Sequence, residues 1–301
     1  MKRKDFIKSA LLISGGLFFQ RNQLLAYIKE DSFTFKELRS GIGFYTNSGG
    51  TIGWMVHDDG VVVIDSQFPD TAEVFENLLK KKSSGKIDIL FNTHHHRDHT
   101  AGNSYLSTYS KSIVANSNCV RLQKTRNVGK ELDKNKVYAN NIFDKNWSTN
   151  LGKEKLFAYH FGPAHTGGDS IFHFVNSNIV HMGDLVFNRV YPWVNKDDEA
   201  SLSGWIKYLD DAINHFDNDS IFIFGHSYTP EKVHGNKNDL RFMRNYIEAL
   251  LSLVKREKKN GKKNEEILET ESIPEFKSMK ALWKGALQAN IKAALIELAN
   301  S

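Results

Sequence analysis

Asn92-Thr93-His94-His95-His96-Arg97-Asp98-His99-Thr100-Ala101-Gly102 sets four histidines and an aspartate into six positions. It follows directly on the apolar run Ile87-Asp88-Ile89-Leu90-Phe91, which reads as a buried strand, so the cluster sits on the loop at that strand's carboxyl end. In an extended or tightly turning loop, side chains two apart project together. His94 and His96 can therefore grip one ion while Asp98 and His99 point toward a neighbouring position. Imidazole nitrogens with a carboxylate oxygen form a ligand set that zinc favours. A single His is ordinarily a hydrogen-bonded neutral side chain. Four that would repel one another when protonated need a cation in the space between them.

The 301 residues, 40% hydrophobic and 25% charged, suffice for a full globular core. The formal charge is +5, yet the first 26 residues carry +4 of it through Lys2, Arg3, Lys4, Lys8 and Arg21 against Asp5. The remaining body is nearly neutral, which argues against a nucleic-acid partner. The basic head and the short apolar stretch from Ser9 to Phe19 read as an export signal over residues 1–26, or a retained N-terminal anchor, too short to cross a bilayer comfortably as a mature helix. The expected location is the periplasm, with no other membrane contact. Cys119 is the only cysteine, so no internal disulfide forms, and its place in a helix starting near Asn116 suggests an inert packed thiol.

From Phe33 to Asp65 short β-rich runs alternate with Gly and Asn turns, and two hairpinned strands end at Asp65. Thr71 to Lys82 is an amphipathic helix, Asn116 to Val128 another, and 130–155 is polar and turn-rich with strand-like scraps. Lys155 to Phe161 alternates toward Gly162-Pro163-Ala164-His165-Thr166-Gly167-Gly168-Asp169, a turn with His165 at its tip. Ile179-Val180-His181-Met182-Gly183-Asp184 and Ile221-Phe222-Ile223-Phe224-Gly225-His226 are strands that end in Gly-Asp and Gly-His. Leu202, Trp205, Ile206, Leu209 and Ile213 have helical spacing and are core positions. Beyond Pro230 the sequence becomes long helices, Leu240 to Lys258 and Lys280 to Ala299, separated by a basic linker.

His94-His95-His96-Arg97-Asp98-His99 matches His-x-His-x-Asp-His at every defined position, and the chain resembles the metallo-β-lactamase superfamily over residues 33–230. The resemblance implies an α/β fold, an αββα sandwich of two mixed β-sheets flanked by helices, with residues 231–301 as a helical extension packed on the same domain. It implies two Zn²⁺ ions per chain. His165 becomes the third ligand of a first site with His94 and His96, while His226 joins Asp98 and His99 at a second. Asp184 matches the carboxylate that bridges both ions in the glyoxalase II-like branches, and Asp65 matches an aspartate that braces the metal loop by hydrogen bonds.

Seven ligands for two ions leave room for a shared water, held as hydroxide near neutral pH by ions roughly 3.5–4 Å apart. The expected reaction is attack of that hydroxide on the carbonyl of a small ester, thioester or lactone, with Asp98 orienting it and moving its proton. Flavodiiron relatives carry Glu where His96 stands and add a flavin domain for which this chain is too short. Homoserine lactonases of the family place Tyr where Phe187 stands, and β-lactamases lack the aspartate at Asp184. Hydrolysis of β-lactam amides is the runner-up, and a non-catalytic metal-binding module is the third reading. The small-molecule substrate is unspecified by the sequence, and the C-terminal helices either cover the fold or make a homodimer contact.

Overall fold

A computed structural model describes residues 33–126 and 135–299; the export-signal segment, residues 1–26, lies outside them. The strands, in chain order, are β1 (Thr34–Arg39), β2 (Ile42–Thr46), β3 (Ile52–His57), β4 (Gly60–Ile64), β5 (Ile87–Asn92), β6 (Ser110–Asn116), β7 (Asn141–Phe143), β8 (Asn146–Leu151), β9 (Glu154–Tyr159), β10 (Ile171–Phe174), β11 (Ile179–His181), β12 (Phe187–Asn188), β13 (Ile221–Ile223), β14 (His226–Ser227) and β15 (His234–Gly235). The main helices are α1 (Pro69–Lys80), α2 (Ser117–Thr125), α3 (Leu202–His215), α4 (Lys237–Lys259) and α5 (Ala286–Ala299). None among the described residues is long and apolar enough to cross a membrane.

Two mixed sheets form, one ordered β1-β2-β3-β4-β5-β6-β7 and the other β15-β13-β11-β10-β9-β8. In the first, β2, β3 and β4 run antiparallel while β4, β5, β6 and β7 run parallel. The parallel strands β4 and β5 are covered on both faces, which is why Val61-Val62-Val63-Ile64 and Ile87 to Phe91 read as near-continuous apolar runs rather than alternating ones. In the second sheet only β11 and β13 are parallel, and that pairing sets the ends of both strands side by side. Phe44, Val62, Phe91 and Val114 from the first sheet meet Leu156, Phe172, Phe174 and Ile223 from the second in one buried layer. On the other face of the second sheet, Val180 and Phe222 pack with Trp205 and Leu209 of α3, Tyr246 and Leu250 of α4, and Ile291 and Ala294 of α5. The architecture is thus two mixed sheets flanked by helices.

Element boundaries differ from the sequence expectation in two informative places. Asn146–Leu151 is an edge strand whose residues alternate exposed and half-buried; its Asn, Ser and Thr content hides it among turn residues. The last helix starts at Ala286 rather than Lys280, because Lys280 is drawn into an isolated parallel bridge with Val190. The segment 280–284 is consequently an irregular strap rather than a helix.

α5 is fastened to α3 by Glu297. Its carboxylate accepts from the Leu202 amide at 2.7 Å, the Ser203 amide at 2.8 Å, the Ser203 hydroxyl at 2.8 Å and Lys196 Nζ at 3.0 Å. Unpaired amides and the positive dipole end of α3 make this a favoured place for a carboxylate. Burial would raise the pKa of Glu297, but the donors outweigh it and hold the carboxyl below its ordinary value. Its stabilisation is therefore present above the unfolded pKa of about 4.3 and lost as pH falls through the lowered folded value. Glu297→Ala should cost about 1–2 kcal/mol in urea unfolding at pH 7, and the gap from the parent should narrow at about pH 3.

Candidate metal centre

The loop after β5 delivers His94, His96, Asp98 and His99, with Asp98 and His99 on the short helical turn Arg97–Thr100. His165 comes from the loop between β9 and β10, Asp184 from the turn after β11, and His226 from the start of β14. All seven converge on one edge of the sandwich, in two adjoining groups: His94, His96, His165 and Asp184, and Asp98, His99 and His226.

In the first group, His94 Nε2 lies 3.1 Å and His165 Nε2 3.0 Å from His96 Nδ1. A tetrahedral ion with nitrogens at 2.0–2.1 Å keeps ligand atoms roughly 3.3 Å apart, so the three nitrogens already face a common point. Asp184 Oδ2 lies 3.7 Å from His94 Nε2, 3.4 Å from His165 Nε2 and 3.3 Å from His226 Nε2. Its Oδ1 is 3.0 Å from His99 Nε2, and His226 Nε2 is 3.2 Å from Asp98 Oδ2. One carboxylate therefore touches both groups. Although 3.0 Å apart, His99 Nε2 and Asp184 Oδ1 are buried with no hydrogen-bond partner among the described residues. Orphaned polar atoms in this position are what a cation site leaves when only its protein part is considered. Close packing supports the cradle: a Cβ at Gly225 would strike Asp184 Oδ1, and one at Gly50 would strike the His99 ring. The donor set fits two divalent cations of the zinc type.

Neighbouring groups fix which nitrogen His94, His96 and His99 present. Asp65, fully buried and in left-handed backbone at φ 64°, accepts from the Thr93 amide and the Thr93 hydroxyl at 2.8 Å each and from His99 Nδ1 at 2.7 Å. A carboxylate only accepts, so His99 carries its proton on Nδ1 and turns Nε2 to the site. Thr93 spends its one hydroxyl proton on Asp65 and so accepts from His94 Nδ1 at 3.0 Å, which likewise frees His94 Nε2. The strand-end aspartate thus orients two rings, His99 directly and His94 through Thr93.

His96 is the exception that faces inward with Nδ1, and the reason is a residue absent from the sequence reading. Asp198, 5% exposed, accepts from His96 Nε2 at 3.2 Å and sits 3.3 Å from His95 Nε2. It is held in turn by Arg126 Nε at 2.7 Å and Asn195 Nδ2 at 2.8 Å. The Gly167 amide donates to the Asp198 carbonyl at 2.9 Å, and the Ser201 amide donates to the Ala164 carbonyl at 2.8 Å, which laces the His165 loop to this one. Burial would raise the pKa of Asp198, but His95 and His96 outweigh it and keep the group an anion.

The two groups differ electrostatically. Burial, with neighbouring imidazoles, keeps His94 and His165 neutral, the latter at about 3. His226 loses stability as a cation through burial, yet Asp184 and Asp98 overcome this and push it up to about 10. Asp184 and Asp98 are themselves held below the carboxylate range by the facing histidines, against the effect of burial. An arriving cation finds neutral nitrogens on one side and, on the other, acids whose present counter-charges are protons.

A family model described as the metallo-beta-lactamase superfamily matches residues 45–226. Curated relatives include a type 2 metallo-beta-lactamase of Elizabethkingia meningoseptica, 26% identical over 185 residues, covering 58% of this chain and 67% of that protein. A hydroxyacylglutathione hydrolase of Synechococcus sp. is 28% identical over 128 residues, covering 40% of this chain and 46% of the relative. The corresponding enzyme of Bartonella henselae is 22% identical over 178 residues, covering 59% and 63%. The chain therefore spans less than two thirds of the length of both hydrolases. Among solved structures, a double mutant of the sec-alkyl sulfatase PisA1 superposes with a TM-score of 0.67 at 15% identity, covering 89% of this chain and 50% of the other. A metallo-beta-lactamase from Pontibacter korlensis gives 0.60 at 16%, covering 72% and 99%. At these identities the structural likenesses speak for the fold.

Removing the acceptor behind His96 should loosen the first group without unfolding the chain. Asp198→Ala is expected to weaken metal binding by about tenfold to a hundredfold, read by competition with a coloured chelator, and Asp198→Asn to retain part of the affinity.

Proposed function

The chain belongs to the metallo-β-lactamase superfamily, and from that premise we propose that it is a dinuclear zinc hydrolase cleaving a small ester, thioester or lactone. The observation that carries this reading is Asp184, 4% exposed, with one oxygen toward His94, His165 and His226 and the other toward His99. Such a carboxylate suits a pair of ions sharing it, as the glyoxalase II-like resemblance implies. His94, His96 and His165 would hold one ion, Asp98, His99 and His226 the other, with Asp184 between. When bound, the two ions would supply Lewis acidity and make a water acidic enough to ionise near neutral pH.

The chain's own groups do the rest. Asp98 is 28% exposed in its side chain and lines the cleft beside the site, so its carboxylate reaches both the ligand cluster and an entering substrate. It orients the attacking water, accepts its proton and returns it to the leaving oxygen or sulfur. Asp65, Thr93 and Asp198 act earlier, by holding ring orientations before substrate arrives. β-Lactam hydrolysis is the second reading, favoured by the similarity to the Elizabethkingia protein and opposed by a carboxylate at position 184.

Metal analysis of gently purified protein should give two zinc ions per chain; a stoichiometry fixed at one, unchanged by added zinc, would overturn the dinuclear reading. Asp184→Asn keeps the side chain's size but removes the charge between the ions. Ester turnover should fall by about tenfold to a hundredfold, with partial recovery in excess zinc. Normal metal content with normal turnover would make Asp184 a strand-end turn residue.

A further inference from the structure

Beside the ligands opens a cleft of about 330 Å³ whose floor includes Asp98, Asp184 and His226. Its walls are apolar: Phe187, Trp193, Leu282 and Trp283. Phe187 stacks on the His226 ring, with centroids 5.1 Å apart and planes at 16°, so the apolar wall begins at the ligand itself. Trp193 and Trp283 approach with centroids 5.6 Å apart. Trp193 is 48% exposed and Leu282 47%, large apolar side chains left open to water where they could have been buried. Apolar surface gathered in a concave site with a few polar groups at one end is the usual form of a small-molecule pocket.

The wall that carries Trp193 is also built to stay in place. Lys280 donates from its amide to the Arg189 carbonyl at 2.9 Å and accepts from the Tyr191 amide at 3.0 Å. Buried Asn290 of α5 donates to the Pro192 carbonyl at 2.8 Å and accepts from the Tyr246 hydroxyl at 2.6 Å. The segment 189–193 is thereby pinned to Lys280 at the start of the strap and, through Asn290, to α4 and α5. A preformed wall spends little conformational entropy when it is covered.

We infer that Phe187, Trp193, Leu282 and Trp283 form a subsite for the apolar part of the substrate, a medium-length aliphatic chain or a single aryl group attached to the bond that is cleaved. The inference deepens the hydrolase reading and rests on it. The occupant is the substrate because the cleft is continuous with the ligands, so a group seated on the wall places its neighbouring bond over Asp98 and Asp184. The volume lies near the lower bound for small-ligand pockets, which suits one chain or ring. Arg97 lines the same cleft, exposed and without an ion-pair partner among the described residues, and offers a carboxylate probe a counter-charge.

Octanoate and butyrate share a carboxylate and differ only in chain length, so their binding to the full zinc-loaded chain, measured by calorimetry, isolates the subsite. Octanoate should bind about tenfold tighter or more, and Trp283→Ala, at a half-buried position, and Leu282→Ser, at an exposed one, should each bring the ratio toward one while circular dichroism stays unchanged. The kcat/KM for p-nitrophenyl octanoate should exceed that for the acetate by a similar factor. Tighter octanoate binding without ester turnover would uphold the subsite and reject the hydrolase reading. Equal binding of both acids with turnover indifferent to chain length would overturn the subsite. A concentration-dependent dimer lost in Trp283→Ala would also overturn it, giving the face to a second copy of the chain.

Discussion

Imidazole nitrogens 3.0–3.1 Å apart, largely shielded from water and aimed at a common point, are a strained arrangement unless something positive lies between them. The rest of the structure accommodates that constraint. Carboxylates come to two of the rings from behind, Asp65 at His99 and Asp198 at His96, and turn the opposite nitrogen of each inward. Glycines stand where a methyl group would collide with a ligand, at Gly50 and Gly225. A polar cluster of this kind is destabilising by itself, and the two apolar layers on either face of the second sheet supply the burial that offsets it.

The parallel pairing of β11 with β13 is the step that converts the fold into a site. It brings Gly183-Asp184 and Gly225-His226 to the same edge, and the Gly225 amide donates to the Gly183 carbonyl at 2.8 Å. Thr51 then ties the first sheet to this junction, with its amide and hydroxyl both donating to the Gly225 carbonyl at 2.9 Å. Ligands from two sheets are thus set by a few backbone hydrogen bonds, independent of the loops that connect them.

Much of this was legible in the sequence because the chemistry is written in contiguous words. Four ligand positions lie within His94 to His99, and the remaining three each end a short apolar run or a glycine-rich turn. The family resemblance then joined pieces that spacing alone could not join. Asp198 escaped notice for a physical reason: it sits in a polar loop, Asn195 to Glu199, where an aspartate ordinarily faces water, and its partner is 102 positions away. The only hint was the crowding of Lys196-Asp197-Asp198-Glu199 around a helix start. The aromatic wall escaped for another reason: Trp193 and Trp283 have no shared period and meet only through the bridge between Val190 and Lys280.

That bridge also sets an order in time. A chain leaves the ribosome from its amino end, and the last of the seven clustered residues, His226, emerges well before the strap that carries Leu282 and Trp283. The seven clustered residues can come together while the cleft still lacks one wall. The second wall of the cleft would therefore form late, together with the docking of α5, and a truncation within the strap would remove both.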